Sequence, residues 1–174
     1  MKRVLRQLVW SSVLVVGVLV AVAAHPGSAS AATCPSGAAA ITVNSVTLVG
    51  TAGTRTPAHM RGNVNQGDTV IVNFTVTASC TAGVEASLVS YLAPGPTWDP
   101  STANRQQVYD SQTGMFVSGP NSIGPVTVPP GCFQIDFVRG AIISQFSPSS
   151  GITYSAQDRL VDFDNGDPGC TALV

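Results

Sequence analysis

The chain has 174 residues, of which eight are Lys or Arg and nine are Asp or Glu, so its net charge at pH 7 is −1. This balance lacks the basic excess that nucleic-acid-binding proteins carry. Apolar residues make up 44% of the chain and recur in a regular alternation, which excludes an intrinsically disordered protein.

The N-terminus has the pattern of a secretory signal peptide. Three basic residues precede an uncharged, mostly apolar run over residues 8–24, and the small residues 29–31 fit a cleavage site. We therefore predict a signal peptide at residues 1–32 and a secreted domain at residues 33–174. The alternative is an uncleaved segment, which would be the protein's one contact with a membrane.

The predicted secreted domain is poor in ionisable groups. It has five arginines, no lysine, one histidine and nine carboxylates, so its net charge is −4. A domain of this length buries about two thirds of the surface of its unfolded chain, which is enough for one hydrophobic core. The composition is typical of a secreted β protein.

Apolar and polar residues alternate along most of this domain, which predicts β-strands. Residues 40–50 form the first predicted strand, with a bulge near Asn44 and Ser45 where the alternation changes phase. The strongest alternation lies in residues 69–78, where one face is apolar and the other is mostly Thr and Asn. A third strand is predicted at residues 84–92.

The second half of the domain begins with a long, proline-rich connection and continues with short strands. The predicted elements are strands at residues 106–110, 115–117, 123–129, 132–138 and 153–163, and a turn at residues 112–114. Seven or eight short strands in about 140 residues predict an all-β fold, an immunoglobulin-like antiparallel β-sandwich.

The strand at residues 132–138 has a face that the alternation assigns to the core. Phe133, Ile135 and Phe137 are expected to point inward. Gln134 and Asp136 are expected to point into solvent, because burial of an unpaired carboxylate costs several kcal/mol.

All four cysteines lie at or beyond the ends of predicted strands: Cys34, Cys80, Cys132 and Cys170. An even number of cysteines in an exported chain implies disulfides. Antiparallel neighbours place the start of one strand beside the end of the next, which predicts a bond between Cys34 and Cys80. By the same rule Cys132 pairs with Cys170. A bond between Cys80 and Cys132 would have to span about 20 Å, whereas a disulfide needs Cα atoms within roughly 7 Å.

Few groups in the domain could catalyse a reaction. His59 is the only candidate base, and no nucleophile motif flanks it, so we interpret it as a solvated loop residue. Glu85 and the aspartates show no spacing that selects a catalytic pair. We predict no catalytic residue, no metal and no cofactor, since one histidine and disulfide-bonded cysteines do not supply a zinc site.

An acidic cluster near the C-terminus allows two interpretations. Asp162, Asp164 and Asp167 could wrap a calcium ion, which prefers oxygen ligands on a sharp turn. The spacing departs from the helical calcium loop, and Asn165 followed by Gly166 is equally a tight-turn dipeptide. We favour the turn.

The long proline-rich connection also allows two interpretations. Trp98, Arg105 and Tyr109 could form a platform for a sugar or a peptide, because loops of this length are often functional. The alternative, which we favour, is that Trp98 caps the end of the sandwich.

Several motifs together resemble a known kind of module. They are "GDTVIVNFTV", "VSYLAPGPTWDP", "TVPPGCFQIDFVRG" and "YSAQDRLVDFDNGDPGC", within residues 65–170. They are similar to a β-sandwich module that recurs in exported and cell-surface proteins of actinobacteria, generally without an assigned activity. The chain departs from the antibody pattern, because no tryptophan faces a central disulfide.

These features predict a non-enzymatic, secreted or surface-associated module that has a structural or binding role. The expected partner is an unidentified protein or glycan at the cell surface. The alternatives are an extracellular carbohydrate- or calcium-binding protein, or a secreted hydrolase, which would need a concave pocket with convergent ionisable groups.

Overall fold

The computed structural model describes residues 33–166 and 169–174, so the predicted signal peptide lies outside the described residues. The described residues form eight β-strands and three 3₁₀ turns. The strands are β1 (Ile41–Gly50), β2 (Gly53–Arg55), β3 (Thr69–Val76), β4 (Val84–Leu92), β5 (Gln107–Phe116), β6 (Gly119–Thr127), β7 (Phe133–Arg139) and β8 (Leu160–Asn165). The 3₁₀ turns are Gly37–Ala40, Ala103–Arg105 and Pro148–Ser150. Within this part of the chain, no helix has the length and hydrophobicity needed to cross a membrane.

The strands form two antiparallel sheets of four strands each. Sheet 1 has the strand order β2-β1-β3-β6, and sheet 2 has the order β5-β4-β7-β8. The inward faces of both sheets share one hydrophobic core, in which Val46 and Phe74 of sheet 1 lie with Leu88 and Phe137 of sheet 2. The predicted all-β, two-sheet architecture is confirmed.

The pairing of β1 with β3 follows the alternation in the sequence. Every second residue of β3 is buried, as expected for a strand with one face in the core. The register of β1 shifts between Val43 and Ser45, which confirms the predicted bulge. The bulge lets Ile41 and Val46, which are five residues apart, both lie in the core.

One disulfide in each sheet ties the ends of two neighbouring strands together. Cys34 lies before β1 and is bonded to Cys80, which follows the antiparallel neighbour β3. Cys132 directly precedes β7 and is bonded to Cys170, which follows β8. The pairing agrees with the prediction from strand order. Two disulfides in a domain of this size are typical of an oxidising environment.

The prediction of two short strands around a turn at residues 112–114 is wrong. Gln107–Phe116 forms one continuous strand, β5, and residues 112–114 pair with β4. The glycine at position 114 allows the Phe116 ring to pack closely on the strand and does not form a turn. A Cβ added there would be 3.0 Å from that ring.

The last strand is also shorter than predicted, and it starts later. Residues 153–159 form turns, in which the N–H of Arg159 donates to the Tyr154 carbonyl at 2.8 Å. Asp158 has a left-handed φ of 53° within these turns, which an extended strand does not allow. The turns bring the Tyr154 ring onto the outer face of sheet 2.

A second hydrophobic layer covers this outer face. The connections at residues 93–106 and 140–159 pack on the side chains of β4 and β7 that point away from the core. The members of the layer are Val89, Tyr91, Ala103, Val138, Ile143, Phe146 and Tyr154. The prediction that Gln134 and Asp136 point into solvent is therefore wrong. Gln134 is 6% exposed and Asp136 is fully buried, because chain rather than water covers this side of β7.

Candidate functional site

A cleft of about 370 Å³ opens in the layer outside sheet 2. Its volume lies in the range of small-molecule sites and would hold roughly a dozen water molecules. Four aromatic side chains line it. Trp98, Phe146 and Tyr154 form walls from the two connections that cover the sheet, and Phe163 belongs to β8. Gln134 and Asp136 of β7 contribute its polar floor.

The aromatic walls meet at steep angles. The Trp98 and Phe146 rings have centroids 5.3 Å apart and planes at 80°. Phe146 and Tyr154 have centroids 5.7 Å apart and planes at 85°. Edge-to-face contacts of this kind are a favoured arrangement of aromatic pairs, so each ring holds its neighbour in position.

Hydrogen bonds between two tyrosines attach the wall to sheet 2. Tyr91 of β4 donates its hydroxyl to the Ile143 carbonyl at 2.8 Å, and the Ile143 N–H donates to the Tyr154 hydroxyl at 2.6 Å. Tyr154 can then donate to the Tyr91 hydroxyl, 2.7 Å away. Burial raises the pKa of both tyrosines. Because both hydroxyls are satisfied within the protein, the wall is fixed before any ligand arrives.

Arg159 also helps to hold the Tyr154 side chain in position. Its guanidinium lies over the Tyr154 ring, 5.3 Å from the centroid. Its nitrogens donate to the carbonyls of Arg139 and Ala141 and to the Gln157 side chain. The charge of Arg159 thus stabilises the turn that carries Tyr154.

Asp136 occupies the floor with one of its oxygens unpaired. Its Oδ2 accepts a hydrogen bond from Gln134 Nε2 at 2.6 Å, and Gln134 Oε1 accepts one from Gln106 Nε2 at 3.0 Å. Asp136 Oδ1 is buried and has no hydrogen-bond partner among the described residues. Burial raises the pKa of Asp136 to about 7, against the opposing effect of the Gln134 hydrogen bond.

An unpaired buried acceptor destabilises the folded protein unless a donor from outside completes it. Asp136 is the one carboxyl group among the described residues that line the cleft. The arrangement therefore combines a rigid apolar wall with a few polar side chains, one of which has a buried acceptor without a partner among the described residues. This is the usual composition of a ligand site.

A shallower depression adjoins the cleft and shares Phe163 and Asn165 with it. Arg61 borders this depression, and its guanidinium lies over the Phe163 ring, 4.9 Å from the centroid. The polar floor of the cleft thus bears a carboxyl group, whereas the adjoining depression is bordered by an exposed cation.

The acidic cluster holds a loop in place. Asp162 Oδ2 accepts the Met60 N–H at 2.9 Å, and Asp164 Oδ2 accepts the N–H groups of Asn63 and Val64 at 3.1 and 3.0 Å. The second oxygen of each carboxylate accepts the N–H of the following residue.

Desolvation raises the pKa of Asp162. Asp167, the third aspartate of the calcium hypothesis, lies outside the described residues. Within residues 33–166 and 169–174, no three His, Cys, Asp or Glu residues are grouped as metal ligands.

His59 lies at the surface, with 68% of its side chain exposed. Its Nδ1 is 4.0 Å from Asp162 Oδ2, in the loop that the acidic cluster holds. Glu85 is exposed on β4 and does not line the cleft. The structure does not bring either residue to Asp136.

The proposed platform of Trp98, Arg105 and Tyr109 is not assembled. Trp98 forms a wall of the cleft, while Arg105 donates to the Val174 carbonyl at 2.7 Å. Tyr109 lies on β5 and is 47% exposed. Trp98 packs against Phe146, so it covers the sandwich and lines the cleft at the same time.

The polar floor and two of the aromatic walls were missed from the sequence. A signal was present, because residues 132–138 combine an almost continuous apolar run with one amide and one carboxyl. Strands that are buried on both faces read as such runs rather than as alternation. Phe146 and Tyr154, in a connection without strand character, are the partners that such a strand requires.

No protein-family model matches the chain, and neither does any curated protein or solved structure. The likeness to exported actinobacterial modules stays a prediction.

Proposed function

We propose that the chain is a non-enzymatic binding module of the cell exterior, with an immunoglobulin-like sandwich as its scaffold. Its ligand is a small organic molecule, or the end group of a glycan or protein at the cell surface, held in the cleft between Trp98 and Asp136. The observation that carries this proposal is the unpaired Oδ1 of Asp136 at the floor of an aromatic cleft.

Three features favour binding over catalysis. The walls are held by hydrogen bonds and edge-to-face contacts that need no ligand, so little order is lost on binding. The floor offers one carboxyl, whereas general acid–base hydrolysis of a glycoside uses two. His59 and Glu85 are exposed and belong to other parts of the surface.

The exterior location is supported by the two disulfides and by the signal-peptide pattern of residues 1–32. N-terminal sequencing of the protein from culture medium should give a start near residue 33. A product that keeps residues 8–24 would favour the membrane-attached alternative.

The binding proposal is tested with isotope-labelled protein and a mixture of small alcohols, sugars, amines and amides. We expect NMR shift changes to cluster at the Trp98 indole and at the amides of Tyr154 and Asn165. Trp98→Ala should remove them, and the matched control Tyr109→Ala, at an exposed ring on β5, should not. Shift changes that cluster elsewhere, or that survive Trp98→Ala, would contradict the proposal.

A further inference from the structure

The carboxyl of Asp136 lies in the cleft without a counter-charge. Among the described residues, the ion pairs are those of Arg55 with Asp68 and of His59 with Asp162, and both lie outside the cleft. The Asp136 side chain accepts a hydrogen bond from the neutral Gln134 amide. A buried carboxylate of this kind is stable only with a partner that brings positive charge or donates strongly.

The hydrogen bonds around Asp136 use its carboxyl group as an acceptor. Gln134 Oε1 already accepts from Gln106, which directs the Gln134 amide nitrogen toward Asp136 Oδ2. Asp136 therefore acts as an acceptor in this chain of amides. Asp136 lines the cleft, and its Oδ1 is left as a buried acceptor without a partner among the described residues. Desolvation by burial raises the pKa of Asp136, and the Gln134 hydrogen bond opposes that rise without cancelling it.

The aromatic walls suit a compact cation better than a flat ring. Trp98, Phe146 and Tyr154 stand at 80° and 85° to each other, so they form corners and not one plane. A sugar ring stacks on a single flat face, whereas a tetrahedral ammonium group can contact several ring faces, whose negative quadrupole attracts it.

Two of the rings that line the cleft already contact cations in this way. Arg61 lies over Phe163, and Arg159 lies over Tyr154. Neither guanidinium neutralises Asp136. Arg159 is bound to backbone carbonyls, and Arg61 is exposed to solvent and lines the adjoining depression rather than the cleft.

From these observations we infer that the cleft binds an alkylammonium group, held between the aromatic walls and the carboxylate of Asp136. The inference rests on the proposed binding function and specifies its ligand class. The cation supplies the charge that the floor lacks, and the rings replace part of its hydration shell.

The test compares a cation with its neutral isostere. Choline and 3,3-dimethylbutan-1-ol share their shape and differ in charge, and methyl glucoside represents a neutral sugar. Each is titrated into the protein by calorimetry and NMR at pH 8, with sodium chloride as the control for ionic strength. We expect choline to bind about tenfold or more tightly than the alcohol, the ratio that a desolvated cation–π and charge contact provides.

Two variants separate the contributions of charge and of shape. Asp136→Asn should reduce choline to the affinity of the alcohol and leave the alcohol unchanged. Trp98→Ala should weaken both, and Tyr109→Ala should weaken neither. The comparison of choline with the alcohol on the unchanged protein remains valid even if a variant folds poorly.

Equal affinity for choline and the alcohol would overturn the inference, as would preferential binding of the glucoside. In either case a loss of binding in Trp98→Ala would leave the proposed binding function standing. If none of the three probes binds, the cation inference fails, and the mixture screen then decides the proposed function separately.

Discussion

The core between the two sheets and the layer outside sheet 2 are both hydrophobic, but they are built differently. The core is composed of aliphatic and phenylalanine side chains such as Val46, Leu88 and Phe137. The outer layer adds two tyrosine hydroxyls and lies over two amides and the carboxyl of Asp136. The core therefore depends only on shape, whereas the outer layer also buries polar groups. Two of their atoms, Gln106 Oε1 and Asp136 Oδ1, have no partner among the described residues.

Truncation of one phenylalanine in each layer gives the largest expected effect. Phe74 is fully buried and contacts Phe116 and Phe137, so Phe74→Ala should lower the free energy of unfolding by about 3–5 kcal/mol. Phe146→Ala should lower it less, because its space opens to the cleft and can fill with water. Urea unfolding measures both. Equal losses would mean that the outer layer is packed as a second closed core.

The next largest effect is expected in the pH dependence of stability, which should come from the outer layer and not from the core. The pKa of Asp136 is raised from 3.8 to about 7 in the folded protein, so the folded state keeps a proton that the unfolded state loses. Stability should therefore fall as the pH rises from about 4 to about 7, by about 4 kcal/mol in total.

Asp136→Asn tests this pH dependence, because it removes the titrating group and keeps the shape. Its stability should change less over the same pH range and should exceed that of the unchanged protein at pH 8. Asp158→Asn, at an exposed turn position, is the control. A parallel pH profile for Asp136→Asn and the unchanged protein would show that Asp136 is already ionised near pH 4.

A smaller effect is expected from the tyrosine pair. Tyr154→Phe removes the acceptor of the Ile143 N–H and the donor to Tyr91, which should cost about 1–3 kcal/mol. Hydrogen exchange at the Ile143 amide should become faster, while the amides of β3 in the core should be unchanged. Protection of Ile143 at the original level would mean that the tyrosine pair does not hold the connection.

The smallest effect is expected from calcium. Asp162 and Asp164 already accept five backbone N–H groups between them, which occupies the oxygens that a calcium ion would need. Exchange of calcium for a chelator should therefore leave the melting temperature of the unchanged protein where it is. The same exchange should also have no effect on the melting temperature of Asp164→Ala. A chelator-sensitive melting temperature that Asp164→Ala abolishes would restore the calcium hypothesis.

The sheets could be predicted where each strand has one buried face. The alternation in β3, the bulge before Ser45 and both disulfides follow from local pattern and strand direction. The same rule fails for β7. Alternation assigns one face of this strand to solvent, whereas the connections at residues 93–106 and 140–159 cover that face. The predicted turn at Gly114 is wrong for another reason, because the glycine there makes room for the Phe116 ring within a continuous strand.

The cleft could be predicted only in part, for a related reason. Trp98 was recognisable because it lies in a long connection with few other large residues. Its partners Phe146, Tyr154 and Asp136 are 38 to 56 residues away along the chain and meet only through the packing of two connections on sheet 2. Contacts of this kind depend on tertiary structure and leave no periodic pattern.

The most direct measurement is an NMR titration of the Asp136 carboxyl carbon in the free protein and with tetramethylammonium. The account predicts a midpoint near pH 7 in the free protein and a lower midpoint when the cation is present, because the cation favours the carboxylate. A midpoint near pH 4 that the cation does not move would contradict it, since the carboxyl would then be stabilised without a ligand.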